Sequence, residues 1–260
     1  MYGICLLSIV PARKEPLGSS EMLTQLLFGE HYKVVEEIEG WIKIQTAYDD
    51  YTCWISSKQH TRISESTFKQ LQQAEPFQSS ELVQVVHNKL TGTSFPITIG
   101  ATLPNYKNNQ STVESFVFGF EGTVTSLERR KSAQSIIATA FVFLNAPYLW
   151  GGKSPFGIDC SGFTQLVFKL NGYRLPRDSQ QQVELGDPLS FVEEAEAGDL
   201  AFFDNEEGRI VHVGLLLDDH QIIHASGYVR IDKYDHYGIF NSDTKKYSHT
   251  LRVIKRLINS

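Results

Sequence analysis

The 260-residue chain has few cysteines, no long apolar run and no concentration of basic charge. Cys5, Cys53 and Cys160 are too few and too widely spaced for a disulfide framework, and an odd count of three leaves at least one free thiol, which points to a reducing compartment. No segment approaches the roughly 18 to 20 consecutive apolar residues needed to cross a bilayer. The first apolar stretch, residues 2–10, is broken by Gly3 and Ser8, follows no basic segment and runs into Pro11 and Arg13 instead of a small-residue cleavage site. It therefore reads as a strand, and the expectation is a soluble, cytoplasmic protein without a membrane partner; a trimmed signal would make it an exported one. With 24 basic against 30 acidic side chains the net charge is -6, and no stretch is dense enough in Lys and Arg to release counterions from a phosphate backbone. Nucleic acid is not an expected partner.

What is present is globular. Hydrophobic residues make up 41% of the chain and charged residues 21%, so a folded core is expected, and the length allows about one to three domains. Residues 1–63 alternate short β-like runs with turns: 3–10, 32–38, 40–46 and 51–56, with one long loop at 13–25. In 40–46, Ile42 and Ile44 alternate with Lys43 and Gln45, the period of a half-buried strand. Several short strands and a long loop predict a small barrel. Residues 64–75 predict an amphipathic helix carrying Phe68 and Leu71 and ended by Pro76. Further β-like runs at 82–86, 95–99 and 113–120 predict a second small barrel, so 64–128 is read as a linker helix followed by that barrel. From 129 to 260 the pattern changes. A helix is expected over 132–144, a Gly-rich loop over 150–157, then a second helix with Phe163, Leu166, Val167 and Leu170 at i, i+3, i+4 and i+7. Strands at 199–204 and 209–217, a turn at 218–220 and a returning strand at 221–225 follow, an α+β arrangement.

Cys5 and Cys53 lie in β-like runs and read as small buried hydrophobes. Cys160 stands where the Gly-rich loop meets a helix start, where unpaired NH groups and the helix dipole favour a thiolate; spacing alone leaves a reactive and a structural cysteine equally open. A cysteine nucleophile needs a proton acceptor. Of the eight histidines, His31, His60, His87, His220, His236 and His249 sit among turn or polar residues and read as solvent-facing. His212 and His224 instead interrupt apolar strands, each as a satisfied core histidine or a site residue. With a turn at 218–220 their strands pair antiparallel, and the two rings can share one face of the sheet. Nucleophile, base and orienting group in that chain order is the logic of a papain-type cysteine hydrolase. The rival reading, zinc held by Cys160, His212 and His224, lacks any locally paired ligands of the Cys-x-x-Cys or His-Glu-x-x-His kind.

At this point six ordered blocks resemble the NlpC-type papain-like peptidases of bacterial cell-wall peptide metabolism: Pro147-Tyr148-Leu149-Trp150-Gly151-Gly152, Gly157-Ile158-Asp159-Cys160-Ser161-Gly162-Phe163, Leu175-Pro176-Arg177-Asp178-Ser179-Gln180, Ala197-Gly198-Asp199-Leu200, His212-Val213-Gly214 and Ile223-His224-Ala225-Ser226. The resemblance implies Cys160 as nucleophile, His212 as general base and later acid, His224 as the group orienting His212, and Tyr148 as an oxyanion donor beside the Cys160 backbone NH. No metal or organic cofactor is implied.

The N-terminal stretches Val10-Pro11-Ala12-Arg13, Ser20-Glu21-Met22, Thr24-Gln25-Leu26-Leu27-Phe28-Gly29-Glu30 and Gly40-Trp41 resemble the bacterial SH3-like barrels that precede the catalytic domain in peptidases recycling murein peptides. The fold implied is α+β: a papain-like domain preceded by one or two small SH3-like β-barrels. The activity implied is hydrolysis of the γ-D-glutamyl-diamino acid bond of a murein tripeptide or tetrapeptide with a free N-terminal L-Ala, releasing L-Ala-D-Glu. Asp159 and Ser179, with Ser161 nearby, correspond to amine-binding positions, Trp150 is placed with the substrate-binding residues, and Glu21 and Tyr51 are the first barrel's contributions. An ammonium leaving water needs a carboxylate and hydroxyl partners. Where the resemblance implies Gly after Tyr51-Thr52, this chain has Cys53. Two rival readings are an exported endopeptidase acting on intact peptidoglycan and a non-catalytic wall-binding protein.

Overall fold

The period-two residues of the first 63 positions build a seven-stranded antiparallel sheet in a computed structural model that describes residues 1–258. Its strands are β1 (Tyr2–Ile4), β2 (Ile9–Arg13), β3 (Met22–Leu27), β4 (His31–Ile38), β5 (Trp41–Thr46), β6 (Thr52–Ser56) and β7 (Thr61–Ile63), in the order β3-β2-β6-β5-β4-β1-β7. The alternation seen at 40–46 is real: Ile42 and Ile44 point into a core with Val10, Ala12, Leu26, Tyr32, Ile55 and both structural cysteines, Cys5 and Cys53. The loop expected over 13–25 is shorter, because Met22–Leu27 pairs with β2 from Ile9↔Leu27 to Arg13↔Met22. Thr24 and Gln25 are polar yet buried, which hides the strand from a reading based on alternation.

Helix α1 (Glu65–Gln73) is capped by the Ser64 hydroxyl, which accepts from the Thr67 NH, and buries Phe68. The second β-rich stretch follows as β8 (Phe77–Ser79), β9 (Val83–Asn88), β10 (Thr93–Thr98), β11 (Thr102–Leu103), β12 (Gln110–Val113), β13 (Phe116–Gly119) and β14 (Val124–Ser126). They form two small sheets, β10-β9-β13-β12 and β11-β8-β14. The single run expected at 113–120 is in fact a hairpin, turned at Glu114, whose φ of 50° is left-handed. Ile4, Phe28, Phe68, Val86, Phe118 and Phe120 share one core, so both β-rich stretches belong to one unit.

Contacts divide the chain into two units. The first is Met1–Arg130 with Trp150–Pro155 and Gly172–Arg174; the second is Lys131–Leu149, Phe156–Asn171 and Leu175 onward. In the second, α2 (Ala133–Phe141) starts from a Ser132 cap. Strand β15 (Lys153–Ser154) lies within the Gly-rich stretch, β16 (Gly157–Ile158) begins at its end, and α3 (Cys160–Lys169) follows. The apolar stripe of α3 understates its burial, since all ten of its residues are buried. Helix α4 (Ser179–Gln182) is tied to it by Gln182, whose Oε1 accepts from Thr164 and whose Nε2 donates to the Ser161 carbonyl.

The remaining strands are β17 (Asp187–Pro188), β18 (Leu200–Asp204), β19 (Ile210–Leu217), β20 (Gln221–Ser226), β21 (Tyr228–Asp235), β22 (Gly238–Asn241) and β23 (Lys246–Arg256). Their order is β17-β23-β18-β19-β20-β21-β22, and β22 also pairs with β23, closing the sheet into a small barrel. Ala201, Phe203, Leu216, Ile222, Tyr234, Ile239 and Ile254 form part of its core. Helix before sheet is the α+β arrangement that the sequence implies.

Candidate active site

Asp159 sets the start of α3. Its Oδ1 accepts the Gly162 NH at 2.7 Å, as an N-cap should, and so places Cys160 at the first helical position. Cys160 is only 7% exposed. The helix start does not by itself give a thiolate: burial, then the Asp159 charge, push the thiol up to about 12, against opposing hydrogen bonds from the backbone NH groups of Val213 and Ser161 and the charge of Arg177. A thiol in this setting needs a base to remove its proton.

That base candidate is the residue next to Val213. His212 lies on β19 with its Nε2 2.8 Å from Nδ1 of His224 on β20, so the two rings meet across the strands as the hairpin register predicts. Gly214 makes the meeting possible, because a Cβ there would stand 2.9 Å from the His224 Cβ. With Nε2 occupied by His224, Nδ1 is the ring atom of His212 left for a thiol. Burial, reinforced by His224 and His249, keeps His212 well below its ordinary value, so the ring is a neutral acceptor at pH 7.

Three partners of this pair were not read from the sequence. His224 Nε2 stands 3.1 Å from Oδ2 of Asp232, a buried carboxylate on β21, and Arg230, two positions away on the same strand, grips Asp232. His249, expected to face solvent, instead stacks on His212 with ring centroids 4.1 Å apart and planes at 23°. Burial and the neighbouring His224 lower it to about 4. Of the other histidines read as exposed, His87, His220 and His236 are so, whereas His31 and His60 are half-buried. The missing signal for Asp232 and His249 was register: both sit in strands rich in charged and polar residues, which look like solvated faces.

Tyr148 is half-buried and held by backbone bonds on both sides: its NH donates to Gly227, and it bridges Ile158. Burial, then the charges of Cys160 and Asp159, push its hydroxyl up to about 12, so it remains a proton donor. Arg177 is only 1% exposed. It clamps Asp159 through Nη1 to Oδ1 at 2.9 Å and Nη2 to Oδ2 at 2.6 Å, and also donates to the Ser161 Oγ. The Asp159 carboxylate, expected to receive an ammonium, is therefore already paired. Ser179 opens α4, with Asp178 in the cap position.

The other expected residues lie in the first unit. Glu21 accepts the Trp150 indole NH at 2.9 Å through Oε1 and pairs with Lys14 at 3.2 Å through Oε2; Trp150 is 59% exposed. Tyr51 packs beside the first barrel core, and its backbone brackets the Asp49–Asp50 turn through Thr46. Cys53, where Gly was expected, is buried opposite Ile44. Among the described residues no group of three or more His, Cys, Asp or Glu is arranged to hold a metal ion.

Comparison with known proteins agrees with this geometry. Residues 145–249 match the NlpC/P60 family, and residues 12–59 match the bacterial dipeptidyl-peptidase Sh3 domain. The chain is 33% identical over 223 residues to gamma-D-glutamyl-L-lysine dipeptidyl-peptidase of Bacillus subtilis (strain 168), covering 78% of this chain and 71% of that one. It is 26% identical over 255 residues to dipeptidyl-peptidase 6 of Lysinibacillus sphaericus, covering 87% and 88%. In fold it matches the crystal structure of an NlpC/P60 family protein from Bacillus cereus ATCC 10987 over the full length of both chains, with a TM-score of 0.82 at 21% identity. A buried cysteine at a helix start, a paired histidine relay and a relative sharing a third of its residues over most of both lengths lead to one assignment: the chain belongs to the NlpC/P60 family of cysteine peptidases.

Proposed function

We propose that this chain is a cysteine dipeptidyl-peptidase that hydrolyses the bond between γ-D-Glu and the diamino acid in murein peptides with a free N-terminal L-Ala, releasing L-Ala-D-Glu. The observation that carries the reading is the His212–His224 pair, 2.8 Å apart, whose next residue, Val213, hydrogen-bonds the Cys160 sulfur. The relatives named as dipeptidyl-peptidases support the substrate class.

In this reading Nδ1 of His212 takes the thiol proton as Cys160 Sγ attacks the γ-D-glutamyl carbonyl carbon. The oxyanion is stabilised by the Tyr148 hydroxyl and the backbone NH of Cys160, an unpaired donor at the first position of α3. Collapse of the intermediate breaks the C–N bond, and the His212 imidazolium gives its proton to the departing amine. Water, deprotonated by His212, then attacks the thioester, restoring the thiol and freeing L-Ala-D-Glu. The reaction is assigned to the cytoplasm, where three unpaired cysteines, one of them the nucleophile, stay reduced.

The experiment is mass spectrometry of L-Ala-γ-D-Glu-L-Lys and its diaminopimelate counterpart, each beside its N-acetylated form, with a Cys160→Ala control. Cleavage of the free peptides alone, absent in the control, is expected. Cleavage of the acetylated peptides would replace the dipeptidyl-peptidase reading with an endopeptidase.

A further inference from the structure

The histidine pair is ambiguous by itself, because either ring can donate to the other. His212 can serve as acceptor for a thiol only if its own proton sits on Nε2, which requires Nδ1 of His224 to be the acceptor of their 2.8 Å bond. Something must hold the His224 proton on its other nitrogen. Nε2 of His224 faces Asp232 Oδ2 at 3.1 Å, and both side chains are 1% exposed. An ionised carboxylate can only accept, so Nε2 of His224 must donate.

Asp232 is fixed in that state by Arg230. The Nη2 of Arg230 donates to Asp232 Oδ1 at 2.9 Å, its Nε stands 2.7 Å from Oδ2, and Nη2 also reaches Asp243 at 2.9 Å. Burial alone would raise the Asp232 carboxyl, but hydrogen bonds from His224 and Arg230 outweigh it and hold the group below the ordinary carboxylate range. The register places these groups together: Ile222 pairs with Asp232 and His224 with Arg230, and positions 222, 224, 230 and 232 share one face of β20 and β21. The nearby His249 makes no such demand on His224, since it stacks edge to face at 5.8 Å.

We propose that Asp232, anchored by Arg230, is a positioning residue that fixes the tautomer of His224 and through it that of His212, so that His212 presents an unprotonated Nδ1 to the Cys160 thiol. The device is a chain of directed hydrogen bonds four side chains long, Arg230 to Asp232 to His224 to His212. The paired Arg230 offsets the carboxylate charge, so orientation is transmitted more than charge. The inference rests on the catalytic reading above for its consequence, though not for its geometry.

Two measurements test it. Long-range proton–nitrogen correlation spectra of the histidine-labelled wild-type protein at pH 7.5 should show both His212 and His224 protonated at Nε2 and bare at Nδ1; a proton on Nδ1 of His224 overturns the proposal without any variant. In Asp232→Ala, His224 should populate both tautomers, kcat on L-Ala-γ-D-Glu-L-Lys should fall about 10- to 100-fold with KM within about two-fold, and iodoacetamide alkylation at Cys160 should slow by about 10-fold or more. Unchanged ring signals and alkylation in a folded Asp232→Ala protein would reduce Asp232 to packing. If wild type leaves the peptide intact, the substrate reading fails, while the tautomer and alkylation readouts still decide the role of Asp232.

Discussion

At the start of α3 a single guanidinium holds a buried carboxylate. Arg177 makes two contacts to Asp159 and one to Ser161 while 1% exposed. Replacing it by Met would leave the buried Asp159 carboxylate without its guanidinium partner beside the Cys160 thiol. The loss expected from breaking such a pair is about 3 to 5 kcal/mol, read as a drop in the thermal unfolding midpoint. Lys should not rescue it, because one ammonium cannot meet both carboxylate oxygens and the Ser161 hydroxyl in the same fork. A Lys variant of wild-type stability would show that the bidentate geometry is irrelevant. At this scale the sequence disclosed the residues that interrupt an apolar pattern, Cys160, His212 and His224. It concealed Asp232, Arg230 and His249, because alternation of charge along β21 and β23 is what a solvated strand face looks like. Arg177 was hidden differently: nothing local in Leu175-Pro176-Arg177 says that a fully charged side chain is buried.

Strands β19 and β20 meet so closely at the histidines that one hydrogen atom in place of a side chain matters. A Cβ at Gly214 would lie 2.6 Å from the Ile222 Cδ1 and 2.9 Å from the His224 Cβ. The isoleucine tip can rotate away, but the His224 Cβ is fixed to the strand. Gly214→Ala should therefore shift the His224 ring, lengthen its bond to His212, and cost about 1 to 3 kcal/mol of stability. The expected kinetic result is a fall in kcat at nearly constant KM, measured on the free tripeptide. Gly119→Ala is the control: its nearest neighbour would be 3.6 Å away, in the other unit, and neither stability nor kcat should change much. Equal effects at the two sites would dismiss the close approach as the cause. Helices α2 and α3 and strands β18, β19 and β20 were legible from periodicity, because apolar spacing and turn residues agreed there, whereas α4 and strands β21 to β23 were not. The hairpin at Glu114 and the first residues of β3 were not, since a tight turn between two apolar strands and buried polar side chains both erase the expected alternation.

A linear reading places everything after residue 128 in one domain, yet residues 150–155 and 172–174 pack with the first unit. Lys153 shows why: its Nζ lies 3.1 Å from Glu30 Oε1, with both side chains under a tenth exposed, and its NH donates to Gln25. Such long-range polar pairs leave no local trace in a sequence. Several buried titratable groups also make the chain's stability depend on pH. His212 and His249 are both lowered from 6.5, His249 to about 4. The unfolded chain takes up their protons near 6.5 and the folded chain does not, so their contribution is complete above about 6.5 and is lost as pH falls toward 4. At pH 5 His249 should remove about 2 kcal/mol, and His212 acts in the same direction. Cys5, Cys53 and Cys160 are raised from 9.0 to about 12, chiefly by burial. Unfolding releases their protons above about 9, so their contribution is complete below that pH and is lost between about 9 and 12, at roughly 1.4 kcal/mol per thiol by pH 10. The urea midpoint should accordingly be highest between about pH 6.5 and 9 and lower at both pH 5 and pH 10. A midpoint unchanged at pH 5 would mean that the two histidines accept protons without unfolding, and one unchanged at pH 10 would mean that the thiols ionise in place.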